Sequence, residues 1–313
     1  MRKALSVLRA LADPTRLRMV VLLHGAELSV GELALVLDQS QPRVSRHVKI
    51  LADAGLIVRH KEGAWVFVRL ASPARVDPVL ALLDSLEGAG IAAADFDRLA
   101  AVRADRAAAS ESYFAAHASE WDSIRSLHVA DEAVEAAVLE ILGGRWLGFM
   151  LDIGTGTGRM IELLGGSATT ALGIDRSPEM LRIARAKIEA AGIANAQVRH
   201  GDLAALPLAD GAADTVILHQ VLHYAQNPMK AIAEAARVLG PGGQLLVVDF
   251  APHAREEFRS EHAHARLGFE DDAVTKWMQT AGLQAKVVAR LPGDLTVTLW
   301  LGSRPHPTRA EAA

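Results

Sequence analysis

Apolar residues recur at three- and four-residue intervals over the first fifty positions and then change to an alternating pattern. Leu5, Leu8 and Leu11 share one helical face, and Asp13-Pro14 supplies an N-cap with proline at the first position of the next helix. That helix runs from about Thr15 to Leu23, with Leu17, Val20, Val21 and Leu23 as its apolar stripe. Ser29 with Glu32 three residues on is a capping box, which opens a helix to about Leu37. A fourth helix begins at Ser40, carries Val44, Val48 and Leu51 on one side and ends at Ala54-Gly55. Two strands follow, Leu56–His60 and Ala64–Leu70, and Lys61-Glu62-Gly63 between them predicts a tight hairpin. Val76–Leu86 reads as an apolar helix, and the Gly/Ala stretch around 87–94 as a linker.

From about residue 145 apolar strands alternate with helical patterns, which predicts a doubly wound α/β sheet. The strands are Phe149–Ile153, Thr170–Ile174, Gln197–His200, Thr215–His219, Gln244–Asp249, Lys286–Leu291 and Leu295–Leu301. Only Pro292-Gly293-Asp294 joins the last two. A connection that short forces an antiparallel pair, because a parallel crossover needs a dozen or more residues. The chain therefore divides into a head at 1–86, a linker at 87–110, a body at 111–305 and a tail at 306–313, with no internal repeat.

Charge sharpens this division. The 313 residues carry a net charge of −4, made up of +5 on residues 1–70 and −9 on the remainder. A basic head on an acidic body is expected where one end meets a polyanion. There are no cysteines, which excludes disulfides, zinc ribbons and thiol nucleophiles. The opening MRKALSVL imitates a signal peptide, but Arg9, Asp13, Arg16 and Arg18 break any apolar run, and no stretch approaches the ~20 residues of a membrane helix. The expectation is a cytoplasmic protein with no membrane partner.

In the head, two helices joined by a short turn at Asp38–Ser40 and followed by a hairpin predict an α+β winged helix-turn-helix, whose second helix enters the major groove. Ser40, Gln41, Arg43, Ser45, Arg46 and Lys49 occupy its outward positions. Arg can fork onto guanine and Gln onto adenine. Arg59 and Lys61 on the wing can neutralise phosphates of double-stranded DNA. The motifs LRALADPTRLRMVVLL, ELSVGELA, SQPRVSRHVKILADAGLI and KEGAWVFVRL resemble ArsR-type repressors over about residues 4–72. The resemblance implies a homodimer packed through the first helix and Val76–Leu86, with Gln41, Arg43, Ser45 and Arg46 reading DNA. One departure matters: Ser29 and Gly31 stand where arsenic-responsive members carry Cys-x-Cys, and neither can supply a thiolate. Val76–Leu86 offers Asp77 and Asp84 but no His, so no metal is expected there.

In the body, FMLDIGTGTGRM places Asp152, Gly154, Thr155, Gly156 and Gly158 where a strand turns into a helix. A second strand ends in Gly173-Ile174-Asp175, whose carboxylate can take both hydroxyls of a ribose, and a third leads to His200-Gly201-Asp202-Leu203, where Asp202 can accept from an adenine amino group. This order resembles class I S-adenosylmethionine-dependent methyltransferases over about residues 111–303, a Rossmann-like fold with a mostly parallel seven-stranded sheet and an antiparallel last strand. By that resemblance Asp152 and the turn with Thr155 hold the methionine part, Asp175 and Arg176 the ribose, and Gly201, Asp202 and Leu203 the adenine. His219 then lies beside the sulfonium. SYFAAHASEWDSIRSLH resembles the lid of quinone-type C-methyltransferases, with Tyr113, Phe114 and Trp121 closing over the cofactor. Candidate general bases are His219, His223 and Tyr224. Asp249, His253, Glu257, His262 and His264 can line an acceptor pocket, with His253 and Glu257 one helical turn apart.

The halves together admit two readings. One is a repressor whose body senses S-adenosylmethionine or S-adenosylhomocysteine. The other is an active methyltransferase on a small molecule, quinone-type or another metabolite, whose head dimerises it or regulates its gene. The lid and the histidines lean toward catalysis. Nucleic-acid methylation is disfavoured, since no Asn/Asp-Pro-Pro-Tyr motif and no cysteine occur. The missing cysteines also remove thiolate-held arsenite as an acceptor.

Overall fold

The computed structural model describes residues 2–24, 27–62, 64–71, 73–85, 93–122 and 131–306. It divides into two units, Met1–Ala109 and Ser110–Ala313.

The first unit is built on local caps. Helix α1 (Arg2–Leu11) precedes α2 (Pro14–Leu22), where the Asp13 carboxylate accepts the Arg16 N–H at 3.1 Å. Helix α3 (Val30–Leu37) opens on the full capping box: Ser29 Oγ accepts the Glu32 N–H at 3.2 Å, and Glu32 Oε2 accepts the Ser29 N–H at 2.7 Å. Asp38 then turns the chain with a left-handed φ of 53°, a conformation Asp tolerates better than most residues. Helix α4 (Gln41–Asp53) follows, with Val44, His47, Val48 and Leu51 buried; Ser40 is its N-cap without a side-chain bond. Strands β2 (Ile57–Glu62) and β3 (Trp65–Leu70) form the expected hairpin, and Lys61 lies within β2 rather than in the turn. The two-residue β1 (Leu28–Ser29) adds to β3, giving the order β1-β3-β2. Two residues are too few to show alternation, so the sequence gives no sign of β1.

Helix α5 (Pro73–Ser85) contains Pro78. The stretch read as a linker falls partly outside the described residues, but from Ala93 to His117 it is one helix, α6. Its residues up to Ala109 belong to the first unit. AADFDRLAAVRADRAAA is rich in strong helix formers. Leu99 is buried in the first unit's core with Leu33, Leu37 and Met19, and that burial turns propensity into a fixed helix.

In the second unit, after α7 (Asp131–Leu142), strands β4 (Phe149–Ile153), β5 (Thr170–Asp175), β6 (Ala196–His200), β7 (Ala213–His219), β8 (Leu239–Phe250), β9 (Gln284–Leu291) and β10 (Val297–Ser303) form one sheet. Its order is β6-β5-β4-β7-β8-β10-β9. Strand β10 runs antiparallel to both neighbours, β8 and β9, while the pairings among β4 to β8 are parallel. Side chains alternate between two cores: Leu245 and Val247 enter one, Leu246 and Val248 the other. The helices α8 (Arg159–Leu164), α9 (Pro178–Ala190), α10 (Pro228–Val238), α11 (Glu257–Glu261) and α12 (Asp271–Thr280) complete it. The strand order reverses direction at β4, so a crevice opens beyond the carboxyl ends of β4 and β7, where doubly wound sheets take their ligands.

Candidate functional site

At that crevice the glycine turn is held by the sheet itself. The N–H groups of Gly154 and Thr155 donate to Ile174 O at 2.7 and 3.0 Å. Gly154 has a φ of 70°, and a Cβ there would lie 2.2 Å from Val221 Cγ2, so only glycine fits. Asp152 is buried and accepts from the Thr155 hydroxyl at 2.6 Å. Asp175 ends β5 and receives the Gly156 N–H on Oδ2 at 2.9 Å and the Ser177 N–H on Oδ1 at 2.8 Å. Burial pushes its carboxyl up from the ordinary value, and these backbone donors oppose that rise. A carboxylate has about four acceptor sites, and these backbone donors do not fill them all. Gly201 packs close to β5, since a Cβ there would meet Ile174 Cγ2 at 2.8 Å. Asp202 is exposed and takes the Ala204 N–H at 2.8 Å; Leu203 is half-buried and Arg176 exposed.

The aromatic segment comes down on this turn. A Cβ on Gly156 would be 3.5 Å from Trp121 Nε1, so the indole lies directly over the turn. Phe114 meets Trp121 and Tyr224 edge-on at 5.3 and 4.9 Å. The adjacent Asp122 accepts the Thr157 hydroxyl at 2.7 Å and pairs with Lys187 on α9. This latch has no sequence signal, because its partners lie 35 and 65 residues away.

Beside it lies a box of rings. Tyr113 Oη and His262 Nδ1 are 3.1 Å apart, and Tyr113 packs on His117 at 4.3 Å. His264 stacks on His223 at 4.1 Å and meets Tyr224 and Phe258. His223 is only 2% exposed, with Nδ1 2.8 Å from Asp249 Oδ1 and its amide donating to Oδ2. Both of these groups are committed to Asp249, so His223 braces the turn carrying Tyr224. Burial holds Tyr224 well above its ordinary pKa, so its phenol stays protonated. His253 and Glu257 do not share a helical face: α11 begins at Glu257, which pairs instead with Arg255 at 2.7 Å. Among the described residues no group of three or more potential ligands could hold a metal ion.

His219 closes β7, half-buried, and the residue after it was not expected to matter. Gln220 has a left-handed φ of 49° and is buried, and its Nε2 has no hydrogen-bond partner among the described residues. Strain and an unmet donor together are tolerated where a ligand repays them.

In the first unit, Ser40, Gln41, Arg43, Ser45, Arg46 and Lys49 are all exposed along α4. Arg59 and Lys61, two apart on β2, are exposed as well. The side chains expected to meet DNA thus all lie on the solvent side of α4, with a second set on the hairpin.

Comparison with known proteins bears on both units. Residues 13–58 match the family described as bacterial regulatory protein, arsR family, and residues 151–247 match a methyltransferase domain. The arsenical resistance operon repressor of Escherichia coli (strain K12) is 46% identical over 68 residues, 21% of this chain and 58% of that protein. A demethylmenaquinone methyltransferase of Thermus thermophilus is 40% identical over 111 residues, 35% of this chain and 50% of that protein. The chain thus spans about half the length of either relative. The crystal structure of the YcgJ protein from Bacillus subtilis superposes with a TM-score of 0.51 at 18% identity, over 56% of this chain and 99% of that one, which shows the fold.

Proposed function

We propose that this chain, an arsR-family regulatory domain joined to an S-adenosylmethionine-dependent methyltransferase domain, is a transcriptional repressor whose DNA affinity responds to S-adenosylmethionine or S-adenosylhomocysteine. The observation that supports this reading is the glycine turn with Asp175 and Trp121 beside it, in the same chain as the exposed Gln41, Arg43, Arg46 and Lys49 of α4. The residues present fit the ligand. Gly154 and Gly156 let backbone approach it, and the Asp175 carboxylate lies beside the turn as an acceptor for a ribose hydroxyl. Trp121 covers the turn, and the Gln220 amide is a buried donor in want of a partner. Asp152 and Thr155 would hold the methionine part, and Gly201, Asp202 and Leu203 the adenine. When bound, S-adenosylmethionine supplies an activated methyl group on its sulfonium.

The head would act on double-stranded DNA as a homodimer in the cytoplasm. Leu5 and Leu8 on α1 and Leu82 on α5 are exposed apolar residues suited to a subunit contact. No helix among the described residues is long and apolar enough to cross a membrane. The second reading, an active small-molecule methyltransferase, is favoured by the ring box around Tyr113, Tyr224 and His262. There the protonated Tyr224 would orient an acceptor and His219 would serve as base.

The test is anisotropy of a labelled duplex from this gene's own upstream region, titrated at fixed salt with each ligand and with neither. A sensor moves Kd by roughly fivefold or more. A duplex that binds indifferently to both ligands refutes the sensor and leaves the enzyme.

A further inference from the structure

The end of α3 is the hinge of the reading head, because the chain turns there into α4. A helix leaves its last carbonyls without intrahelical partners, and here all four can be accounted for. Ala34 O takes the amides of Asp38 and Gln39, and Leu35 O also takes that of Asp38. The other two are met by guanidinium groups. Leu37 O accepts from Arg18 Nη2 at 3.2 Å, and Val36 O from Arg98 Nε at 2.6 Å. Arg18 belongs to α2, but Arg98 belongs to α6, beyond the region that resembles the repressor family.

One carboxylate joins both arginines. Asp95, in the first turn of α6, is fully buried. It accepts from Arg18 Nε at 2.5 Å and Nη2 at 2.6 Å, and from Arg98 Nη2 at 2.5 Å. Arg18 alone would leave Val36 O unmet, and without Asp95 both guanidiniums lose the partner that aims them at α3. Buried charge arranged this way is costly to break from one side. It also fixes direction, as a planar guanidinium bound to a carboxylate has little freedom left.

We propose that Asp95 and Arg98 are positioning residues for DNA recognition, so that the first turn of α6 is a working part of the reading head. They complete the carbonyl end of α3 and thereby hold α4 at the angle its outward face needs. This rests on the reading of α4 as the DNA reader. It also makes any movement of the start of α6 a change in operator affinity.

The test compares wild type with Asp95→Asn and Asp95→Glu in the full chain. On the labelled upstream duplex, Asp95→Asn is expected to lose roughly tenfold in affinity, with binding to an unrelated duplex of equal length unchanged. Asp95→Glu, which keeps the charge, is expected to recover most of the loss. A general fold prop would lower both affinities together, and that result overturns the proposal, as does operator binding within twofold of wild type. Amide hydrogen exchange decides separately and needs no DNA. Asp95→Asn should speed exchange over residues 36–41 and the first turn of α6 while leaving β2 and β3 as they were. Exchange unchanged at 36–41, or raised throughout residues 2–109, rejects the positioning role. If wild type binds no duplex, the reader assignment falls by itself, and exchange still reports whether Asp95 fixes the turn.

Discussion

His253 and His264 are imidazoles kept neutral by their surroundings. Burial, with His223 and Arg255 nearby, pulls His253 down to about 4, and burial depresses His264 still further. An unfolded histidine titrates near ~6.5. Because the folded value is the lower one, the unfolded chain takes up the proton first. The stability from a neutral His253 is therefore present above ~6.5 and lost as pH falls toward 4. Asp95 is also depressed, chiefly by its bond to Arg18, but its contribution is lost only below the ordinary carboxylate range near ~3.9. Calorimetry between pH 7 and 4.5 should show a falling unfolding temperature whose slope is shallower in His253→Gln, the fall that is left coming from His264. Parallel curves for the two proteins would mean that His253 is not what titrates. At this scale the sequence is legible where the partner is close. The Ser29–Glu32 box and the Asp13 cap are three-residue relations and can be read directly. The strain at Gln220 cannot, because nothing in its neighbours requires a left-handed backbone at a residue with a side chain.

Among the elements, the wing hairpin, the seven strands of the second unit and the glycine turn are legible because each is a local pattern. The elements that the sequence misassigned depend on distant partners. Helix α6 reads as a linker until Asp95 finds Arg18, 77 positions away. The end of α6 and the turn after it read as a lid by Tyr113, Phe114 and Trp121, but what fastens that turn is Asp122, which no pattern singles out. Asp122 ties Trp121's neighbourhood to Thr157 in the turn and to Lys187 on α9. Asp122→Ala should therefore free the lid and leave the cradle intact. We expect S-adenosylhomocysteine to bind ~3- to 10-fold more weakly by calorimetric titration, the size of one ordinary net hydrogen bond. Circular dichroism should stay unchanged. Affinity equal to wild type would mean that the lid contributes nothing to holding the ligand.

For the whole molecule, linkage sets a requirement that neither unit meets alone. If S-adenosylhomocysteine changes operator affinity by some factor, operator DNA must change S-adenosylhomocysteine affinity by that same factor, because both are legs of one thermodynamic cycle. The two binding faces involve different residues, so each can be disabled singly. Arg43→Ala with Arg46→Ala removes the two arginines proposed to fork onto guanine, and specific DNA binding should be lost while ligand affinity in the absence of DNA stays as it was. Asp175→Ala removes the carboxylate that faces the glycine turn. Ligand binding should weaken by ~1.5–3 kcal/mol through loss of contacts to a charged group, while ligand-free operator affinity is kept. The decisive quantity is the reciprocal shift: ligand affinity with and without saturating operator duplex, in wild type and in the double arginine variant. A sensor shows the shift in wild type and loses it when the arginines go. A shift that survives their loss would come from charge alone, since residues 1–70 carry +5 and any polyanion is drawn to them. It would then fade as salt is raised, whereas a conformational coupling between reader and cradle persists at any salt where the operator is still bound.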